Sequence, residues 1–380
     1  QLVDHADIKI GVVAHRQRAR NRRCRHHQLV RTVALAAQSQ TLRDAETVLL
    51  VDDHEAKPLK CDVLLKQRVR ADDQLRVTFD RTTVDFSLTT NATLLTPELV
   101  DWFDAHRFAL TVSMDGPKAL HDANRKTVGG KGSYDLVARN VRMLLSRYRA
   151  RPVGVRVTLT RGVTDVIGIH DHLKNDLGFH EVGFGPATSG PIAVFNLDDG
   201  ALKAVFEDMK TLGRRYVEAA CRGENIGFSN MHQLLTDIAQ GTKKAVPCGA
   251  GLGMLAVDRQ GDLHLCHRFV GSDQPTYGNV ADGIDVPKLA RFIEGAQDRS
   301  SYGCRTCRIR SICAGGCYHE AYARQGDPYA PVWHYCDLMR DWVDFGIEAY
   351  VRIMQANPAF FRTQLEPRTA RPAATKEVIQ

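Results

Sequence analysis

The chain has 380 residues, of which 43% are hydrophobic, and this length and composition indicate a globular protein with a large buried core. Its formal net charge of +7 is modest for the length, so we expect no nucleic-acid partner. No apolar run approaches the roughly 18 residues of a membrane span, and the first residues lack the long apolar region of a signal peptide. We therefore expect a cytoplasmic protein that does not bind a membrane.

Residues 1–83 differ in composition from the rest of the chain. They contain a single glycine, Gly11, a single proline, Pro58, and neither tyrosine nor tryptophan. The stretch RQRARNRRCRHH, residues 16–27, fits neither the face of a helix nor a strand. We interpret residues 1–83 as an atypical N-terminal segment of poorly ordered or irregular structure, with a basic arm for nucleic acid as the weaker alternative.

Residues 84–245 alternate between strand and helix patterns. Thr96 is placed to cap a helix that Pro97 begins, and Ser133 is placed to cap another helix whose apolar residues share one face. The predicted strands, in chain order, are VDFSLTTN, ALTVSMDG, PVGVRVTLT and EVGFGPA, and a long helical run follows from about Asp199 to Ala220. Such alternation predicts a parallel sheet with helices on one side, either open or curled towards a barrel.

Residues 246–360 are predicted to form a second, cysteine-rich domain, with the boundary near residues 241–247. The stretch MLAVDRQGDLHLC contains two short alternating runs around a glycine turn, which predicts a β-hairpin. Residues 361–380 have a disordered composition, and we expect ordered structure to end near Phe361.

Seven of the ten cysteines lie in this second domain. They are Cys248 and Cys266, with Gly261 between them, then Cys304, Cys307, Cys313, Cys317 and Cys336. In a reducing cytosol such spacing indicates metal binding rather than disulfides. Zinc needs four ligands and usually takes them from two CxxC pairs, whereas this set contains one such pair. Iron–sulfur cubanes, which take four thiolates each, are therefore favoured over zinc.

Small residues between Cys313 and Cys317 also suit a bulky cluster, because they let the backbone pass close to it and leave amides free for its sulfurs. Seven thiols are one short of two complete cubanes. Either one cubane keeps an open iron, or an eighth ligand comes from elsewhere, with Cys221 as the nearest spare thiol.

The arrangement C-x12-G-x4-C, C-x2-C-x5-C-x3-C and a final cysteine resembles the SPASM domain of radical S-adenosylmethionine (SAM) peptide maturases. The stretches LTTNATLLTPEL, VSMDGPKALHDANRKTVGGKGSY and VRVTLTRGVTD are similar to the middle strands of the radical SAM barrel in these enzymes. The resemblance extends from residue 85 to about residue 355. It implies an α/β fold with a partial (β/α)6 radical SAM barrel, residues 84–245, followed by a small cysteine-rich α+β SPASM domain, residues 246–360.

The resemblance also implies ligand sets. One auxiliary [4Fe-4S] cluster would be bound by Cys248, Cys266 and Cys317, and the other by Cys304, Cys307, Cys313 and Cys336. The SAM and substrate pocket would be lined by Asn91, Ser113, Asp115 and Arg156. Alternatives remain open: Asn91 and the sequence Asp115-Gly116-Pro117 also suit tight turns, and His121, Asp122 and Arg125 also suit a local polar network at the start of a helix.

A radical SAM enzyme also needs a CxxxCxxC loop for a third cluster that binds SAM, and this sequence has none. Cys24 and Cys61 lie far apart, and the Gly-Gly-Glu turn of the family is missing from residues 1–83. Either the SAM-cleaving centre has been lost, or residues 1–83 are not the true N-terminus, for instance through a frame error in the gene model. The abrupt change in composition favours the second explanation, which predicts that both motifs are encoded upstream in another frame.

The stretches CHRFVG and WVDFGIEAYVRIMQANPAFF are closer to the maturases of quinohemoprotein amine dehydrogenase, which form thioethers between Cys sulfurs and Asp or Glu side chains. We expect His267 and Arg268 to bind substrate carboxylates, with plain surface solvation as the alternative. Anaerobic sulfatase maturases carry a catalytic Asp at the position of His267, which makes them the second interpretation.

Both interpretations imply a peptide or small protein subunit as substrate and a reductant such as flavodoxin or ferredoxin. A non-catalytic iron–sulfur protein that binds a peptide, and a zinc-ribbon interaction protein, are the interpretations from other classes.

Overall fold

The computed structural model describes residues 9–14, 47–50, 84–190, 193–297 and 302–365, and all structural statements concern these residues. Apart from two short strands, the atypical N-terminal segment lies outside them, as do Cys24, Cys61 and the chain after residue 365. The strands are β1 Lys9–Ala14, β2 Thr47–Leu50, β3 Val84–Thr90, β4 Ala109–Ser113, β5 Gly154–Leu159, β6 Glu181–Pro186, β7 Leu255–Val257, β8 Leu263–His264, β9 Gly278–Asn279 and β10 Gly283–Ile284.

The described residues also form eleven α-helices. They are α1 Pro97–Ala105, α2 Lys118–Asn124, α3 Tyr134–Arg147, α4 Val166–Asp171, α5 Asp199–Cys221, α6 Ser229–Ala239, α7 Val286–Gln297, α8 Arg310–Cys313, α9 Tyr318–Gln325, α10 Cys336–Ala356 and α11 Ala359–Gln364. A π-helical turn, His172–Asp176, continues α4, and short 3-10 turns include His267–Phe269 and Trp333–Tyr335.

The main sheet has the order β6-β5-β4-β3-β1-β2-β7-β8 among the described strands. Strands β3 to β6 are parallel to one another, and each is separated from the next by helix, so the predicted partial barrel of α/β type is confirmed. The predicted hairpin is also confirmed, because β7 and β8 pair antiparallel. Strand β1 runs antiparallel to both β2 and β3.

Local sequence explains where the barrel helices begin. Thr96 caps α1 as predicted, because its Oγ1 accepts a hydrogen bond from the amide of Leu99 at 3.2 Å. Ser133 occupies the N-cap position of α3 as predicted, but its side chain makes no capping hydrogen bond, because its hydroxyl donates to the carbonyl of Arg125 at 2.8 Å. The carboxylate of Asp122 takes over this role by accepting from the amide of Tyr134 at 2.8 Å.

The main hydrophobic core lies between the parallel strands and the helices that cover one of their faces. Helix α10 belongs to this core, since Trp342, Val343 and Ile353 are buried in it, although the sequence places this helix in the second domain. A second, smaller core includes Leu265 and Phe269 and lies within residues 246–360. We propose that each domain is built around one of these two cores, so that α10 belongs with the barrel.

Ordered structure continues slightly beyond the predicted end near Phe361. Helix α11 runs to Gln364, and Leu365 is 5% exposed. Leu365 explains the extension, because its side chain is part of the main hydrophobic core together with Phe360. Among the described helices, none combines the length and apolarity needed to cross a membrane.

Candidate functional site

The face of the parallel strands that points away from the helices is polar. Along β4 and β5, polar residues on this face alternate with buried apolar residues that face the helices. The polar residues are Thr111 and Ser113 of β4 and Arg156 and Thr158 of β5. Register places Ser113 beside Arg156, and Arg156 beside Gly183 of β6. Ser113 is the last residue of β4 and Thr158 the last but one of β5, so both lie at the carboxyl ends of the strands, where α/β proteins bind their ligands.

Arg156 is the cation of this polar face. Its side chain is exposed to solvent, yet burial by the surrounding protein lowers its pKa, which indicates a recess that is open to water. Gly185 of β6 makes room for the guanidinium, and Gly183 of the same strand makes room for Ser229. A Cβ on Gly185 would lie 2.6 Å from Nη2 of Arg156, and a Cβ on Gly183 would lie 2.6 Å from Oγ of Ser229.

Sequence reasoning missed these glycines, although their spacing in EVGFGP, two residues apart on one face of a strand, was a usable signal.

The other two predicted pocket residues are used in local structure. Asn91 Oδ1 accepts from the amide of Thr93 at 3.1 Å, next to Ala92 at φ 62°, so Asn91 makes the tight turn after β3. Asp115 is buried and accepts from Arg125 Nε at 2.6 Å and from the Thr158 amide at 2.9 Å. Its carboxylate therefore ties the loop after β4 to β5.

His121 completes this polar network. Its ring is fully buried, with Nδ1 3.4 Å from the amide of Asp115 and Nε2 3.0 Å from Oγ of Ser133. Burial, followed by the charge of Arg125, lowers the pKa of His121 to about 4. The local network that the sequence left open is therefore present at the carboxyl end of β4.

Seven of the eight described cysteines fall into two groups. We call Cys248, Cys266 and Cys317 the first thiol group, and Cys304, Cys307, Cys313 and Cys336 the second thiol group. The pKa of Cys266 is raised to about 11, chiefly by burial, and the charges of Cys317 and Cys248 act in the same direction. Burial also raises the pKa of Cys336, and the charges of the other three members of its group act in the same direction.

The structure thus brings together the same sets that the resemblance implies, and iron–sulfur ligation by them stays a prediction. Within the described residues, no three His, Cys, Asp or Glu side chains converge closely enough to hold a single metal ion. A cubane is wider than an ion and takes more widely spaced thiolates. Cys221 ends α5 and packs against the main core, and it belongs to neither group.

The backbone between Cys313 and Cys317 supports the fit to a cluster. Ala314, Gly315 and Gly316 all have positive φ, at 50°, 89° and 83°. Positive φ is unfavourable for alanine, and such strain is typical of functional sites. The amides of Ala314 and Gly316 already donate to the carbonyls of Arg310 at 2.9 Å and Cys313 at 3.2 Å, so the prediction that they stay free for the sulfurs of a cluster is wrong. What these small residues provide is a tight turn that lets the chain pass close to a bulky group. An all-thiol donor set with this backbone fits an iron–sulfur cluster.

Arg268 lies two residues after Cys266 in sequence and contacts Cys317 of the first thiol group in space. Its Nη1 lies 3.6 Å from Sγ of Cys317 and 3.5 Å from Oε2 of Glu320, and its Nη2 donates to Oγ of Ser189 at 3.2 Å. His267 lies half-buried beside it in a 3-10 turn. Two nitrogens of the guanidinium that the sequence assigns to substrate are therefore engaged within the protein.

Glu320, on α9, was missed by sequence reasoning. It is 6% exposed and accepts hydrogen bonds from the hydroxyls of Thr188 and Ser189, while Nε2 of His334 lies 3.4 Å from its Oε1. Burial raises the pKa of this carboxyl, but the hydrogen bonds from His334, Ser189 and Thr188 and the charge of Arg268 together lower it to about 2. Glu320 is therefore an anion that joins the loop after β6 to the cysteine-rich region.

Curated relatives with similar sequences are anaerobic sulfatase-maturating enzymes. The serine-type enzyme of Klebsiella aerogenes is 25% identical over 255 residues, which are 64% of this chain and 60% of that enzyme. The cysteine-type enzyme of Clostridium perfringens strain 13 is 22% identical over 277 residues, 70% of this chain and 73% of that enzyme. The chain thus spans about 60% of the Klebsiella enzyme that it matches. No family model matches the chain.

Solved structures agree on the fold. Native anSMEcpe with bound AdoMet matches with a TM-score of 0.65 and 18% identity over 80% of this chain and 83% of that chain. The same enzyme with AdoMet and the Cp18Cys peptide matches with a TM-score of 0.62 and 17% identity over 88% of this chain and 92% of that one. The fold is that of radical SAM enzymes with a SPASM domain, and the sequence matches support homology to radical SAM maturases.

Proposed function

We propose that this chain contains the barrel and auxiliary-cluster regions of a radical SAM maturase that modifies a side chain of a peptide or small protein. The sulfatase-maturase interpretation replaces the amine dehydrogenase interpretation as the first candidate, because the curated relatives are sulfatase-maturating enzymes. The observation that carries the proposal is the position of the first thiol group. Arg268 contacts Cys317 of this group and also donates to Ser189, which lies in the loop that follows β6. The first thiol group is therefore close to the carboxyl edge of the parallel strands.

We assign each described residue a role that its surroundings allow. Ser113 and Arg156 face the open side of the sheet and would bind the carboxylate of SAM, since a guanidinium prefers a planar anion. The two thiol groups would each hold a [4Fe-4S] cluster, which when bound exchanges single electrons. The 380 residues contain no CxxxCxxC, so we assign no reaction step to a SAM-cleaving centre.

Iron analysis tests the two auxiliary sites. After anaerobic reconstitution we expect about 8 iron and 8 sulfide per chain, as two cubanes require. Cys266→Ser and Cys336→Ser should each lose roughly half of the iron, whereas Cys221→Ser, the matched control, should keep all of it. A wild-type chain without bound iron, or an equal loss in Cys221→Ser, would contradict the assignment.

SAM binding tests the barrel site. Arg156→Gln should weaken binding of SAM, measured by equilibrium dialysis, by about tenfold or more, because it removes a charged hydrogen-bond donor. Arg161→Gln is the control, since this arginine lies outside the strand at an exposed turn. Equal affinity in Arg156→Gln and wild type would remove the barrel site from the proposal.

Thioether formation of the amine dehydrogenase type is the second candidate, and the residue that favours it is His267. This histidine directly follows Cys266 in place of the Asp expected of sulfatase maturases. A cysteine peptide with neighbouring Asp or Glu should then bind more tightly than its Asn and Gln counterpart. Equal affinities, measured by fluorescence anisotropy, would favour the sulfatase-type substrate.

A further inference from the structure

Arg268 is held in one orientation between the first thiol group and the barrel. Its Nη1 is shared between Cys317 and Glu320, at 3.6 Å from Sγ and 3.5 Å from Oε2. Its Nη2 donates to Ser189 on the barrel side. About a third of the side chain, 34%, is exposed, so contacts rather than deep burial determine where the guanidinium points.

Glu320 is well placed to hold this orientation. Both of its carboxylate oxygens are used, Oε1 by Thr188 and Oε2 by Ser189, and its side chain is 8% exposed. Thr188 is itself held, because its carbonyl accepts from Nη1 of Arg324 at 3.0 Å and its hydroxyl lies 3.1 Å from Nε2 of His334. An ionised carboxylate with this many partners has little freedom, and a buried ion pair loses much of its energy if it moves.

A positive charge and an N–H donor next to a ligating sulfur favour the more negative, reduced state of an iron–sulfur cluster. We propose that Glu320 is a positioning residue that holds Arg268 against Cys317, and that Arg268 thereby raises the reduction potential of the cluster bound by the first thiol group. The inference rests on the cluster ligation in the proposed function. The redox change is the uptake of one electron from an added low-potential reductant such as dithionite, without bond formation in the protein.

The second thiol group provides an internal comparison. Arg340, on α10, makes a side-chain hydrogen bond with Cys307 and also lies near Cys336. Each thiol group therefore has its own arginine, and a substitution of one arginine should affect one cluster. Arg340→Gln is accordingly the matched control for Arg268→Gln.

The experiment is a redox titration of the reconstituted full chain, followed by electron paramagnetic resonance, with iron and sulfide measured in every variant. Arg268→Gln should shift the midpoint potential of one cluster to a more negative value and leave the other unchanged. Arg340→Gln should shift the other cluster. Arg268→Lys keeps the positive charge but lacks the two-pronged N–H donors of the guanidinium. Its shift of the midpoint potential should therefore be in the same direction as that of Arg268→Gln and smaller.

Glu320→Gln separates positioning from simple charge. If Glu320 acts only through its charge, its neutralisation removes a negative charge and makes the potential more positive. If it positions Arg268, the lost contact makes the potential more negative, as in Arg268→Gln. A positive shift would overturn the positioning role.

The outcomes also separate this inference from the proposed function. A wild-type chain without iron would overturn the proposed function and the inference with it. Full iron content with an unchanged potential in both Arg268→Gln and Arg268→Lys would overturn the inference alone.

Discussion

Replacement of His121 by glutamine should remove a specific part of the pH dependence of stability. The ring is fully buried, and Oγ of Ser133 already donates to the carbonyl of Arg125, so Nε2 must donate to Ser133. Nδ1 is then the acceptor that faces the amide of Asp115. A second proton would place two donors opposite each other, close to the guanidinium of Arg125. The ring of His121 is therefore neutral in the folded state.

The sign and size follow from the lowered pKa. Between the ordinary pKa of 6.5 and the folded value of about 4, the unfolded chain binds a proton that the folded chain does not, so stability falls as the pH is lowered. The loss is about 2 kcal/mol between pH 7.5 and pH 5, and about 3 kcal/mol by pH 4.

Urea unfolding at both pH values measures this loss. The wild-type chain should lose about 2 kcal/mol more than His121→Gln between pH 7.5 and pH 5. His106→Gln, at an exposed position after α1, should behave like wild type. An equal loss of unfolding free energy in wild type and His121→Gln would refute the conclusion that the buried ring of His121 is neutral.

Two substitutions of glycine test the packing. Gly346→Ala in α10 should destabilise the chain by about 1–3 kcal/mol despite the better helix propensity of alanine, because its Cβ would lie 2.8 Å from Cγ of Leu234. Gly200→Ala, whose nearest neighbour is 3.5 Å away, is the control, and equal urea midpoints would contradict the clash. Gly185→Ala should leave stability within about 0.5 kcal/mol, since a flexible arginine end can move, but weaken SAM binding by about tenfold in dialysis. If Gly185→Ala bound SAM as tightly as the control Gly154→Ala, the guanidinium of Arg156 would not need its present position for SAM binding.

Elements whose signal is local were predictable from the sequence. The strands of the partial barrel, the cap at Thr96 and the β7–β8 hairpin depend on residues within a few positions of one another, and the structure confirms them. Ser133 shows the limit of such signals. It has the right residue type and position for a cap, but His121 and Arg125, which come from another segment, compete for its hydroxyl.

The sequence by itself determined the alternation of strands and helices, the seven clustered thiols and the glycines next to them, because these are properties of spacing and residue type. Only the tertiary structure decided that Glu320 meets Thr188 across 132 positions, that Arg268 meets Ser189 across 79, and that α10 packs in the barrel core. No local pattern specifies such contacts. They form because burial forces each polar group to find a partner, and the partner is whichever group the folded chain brings within reach.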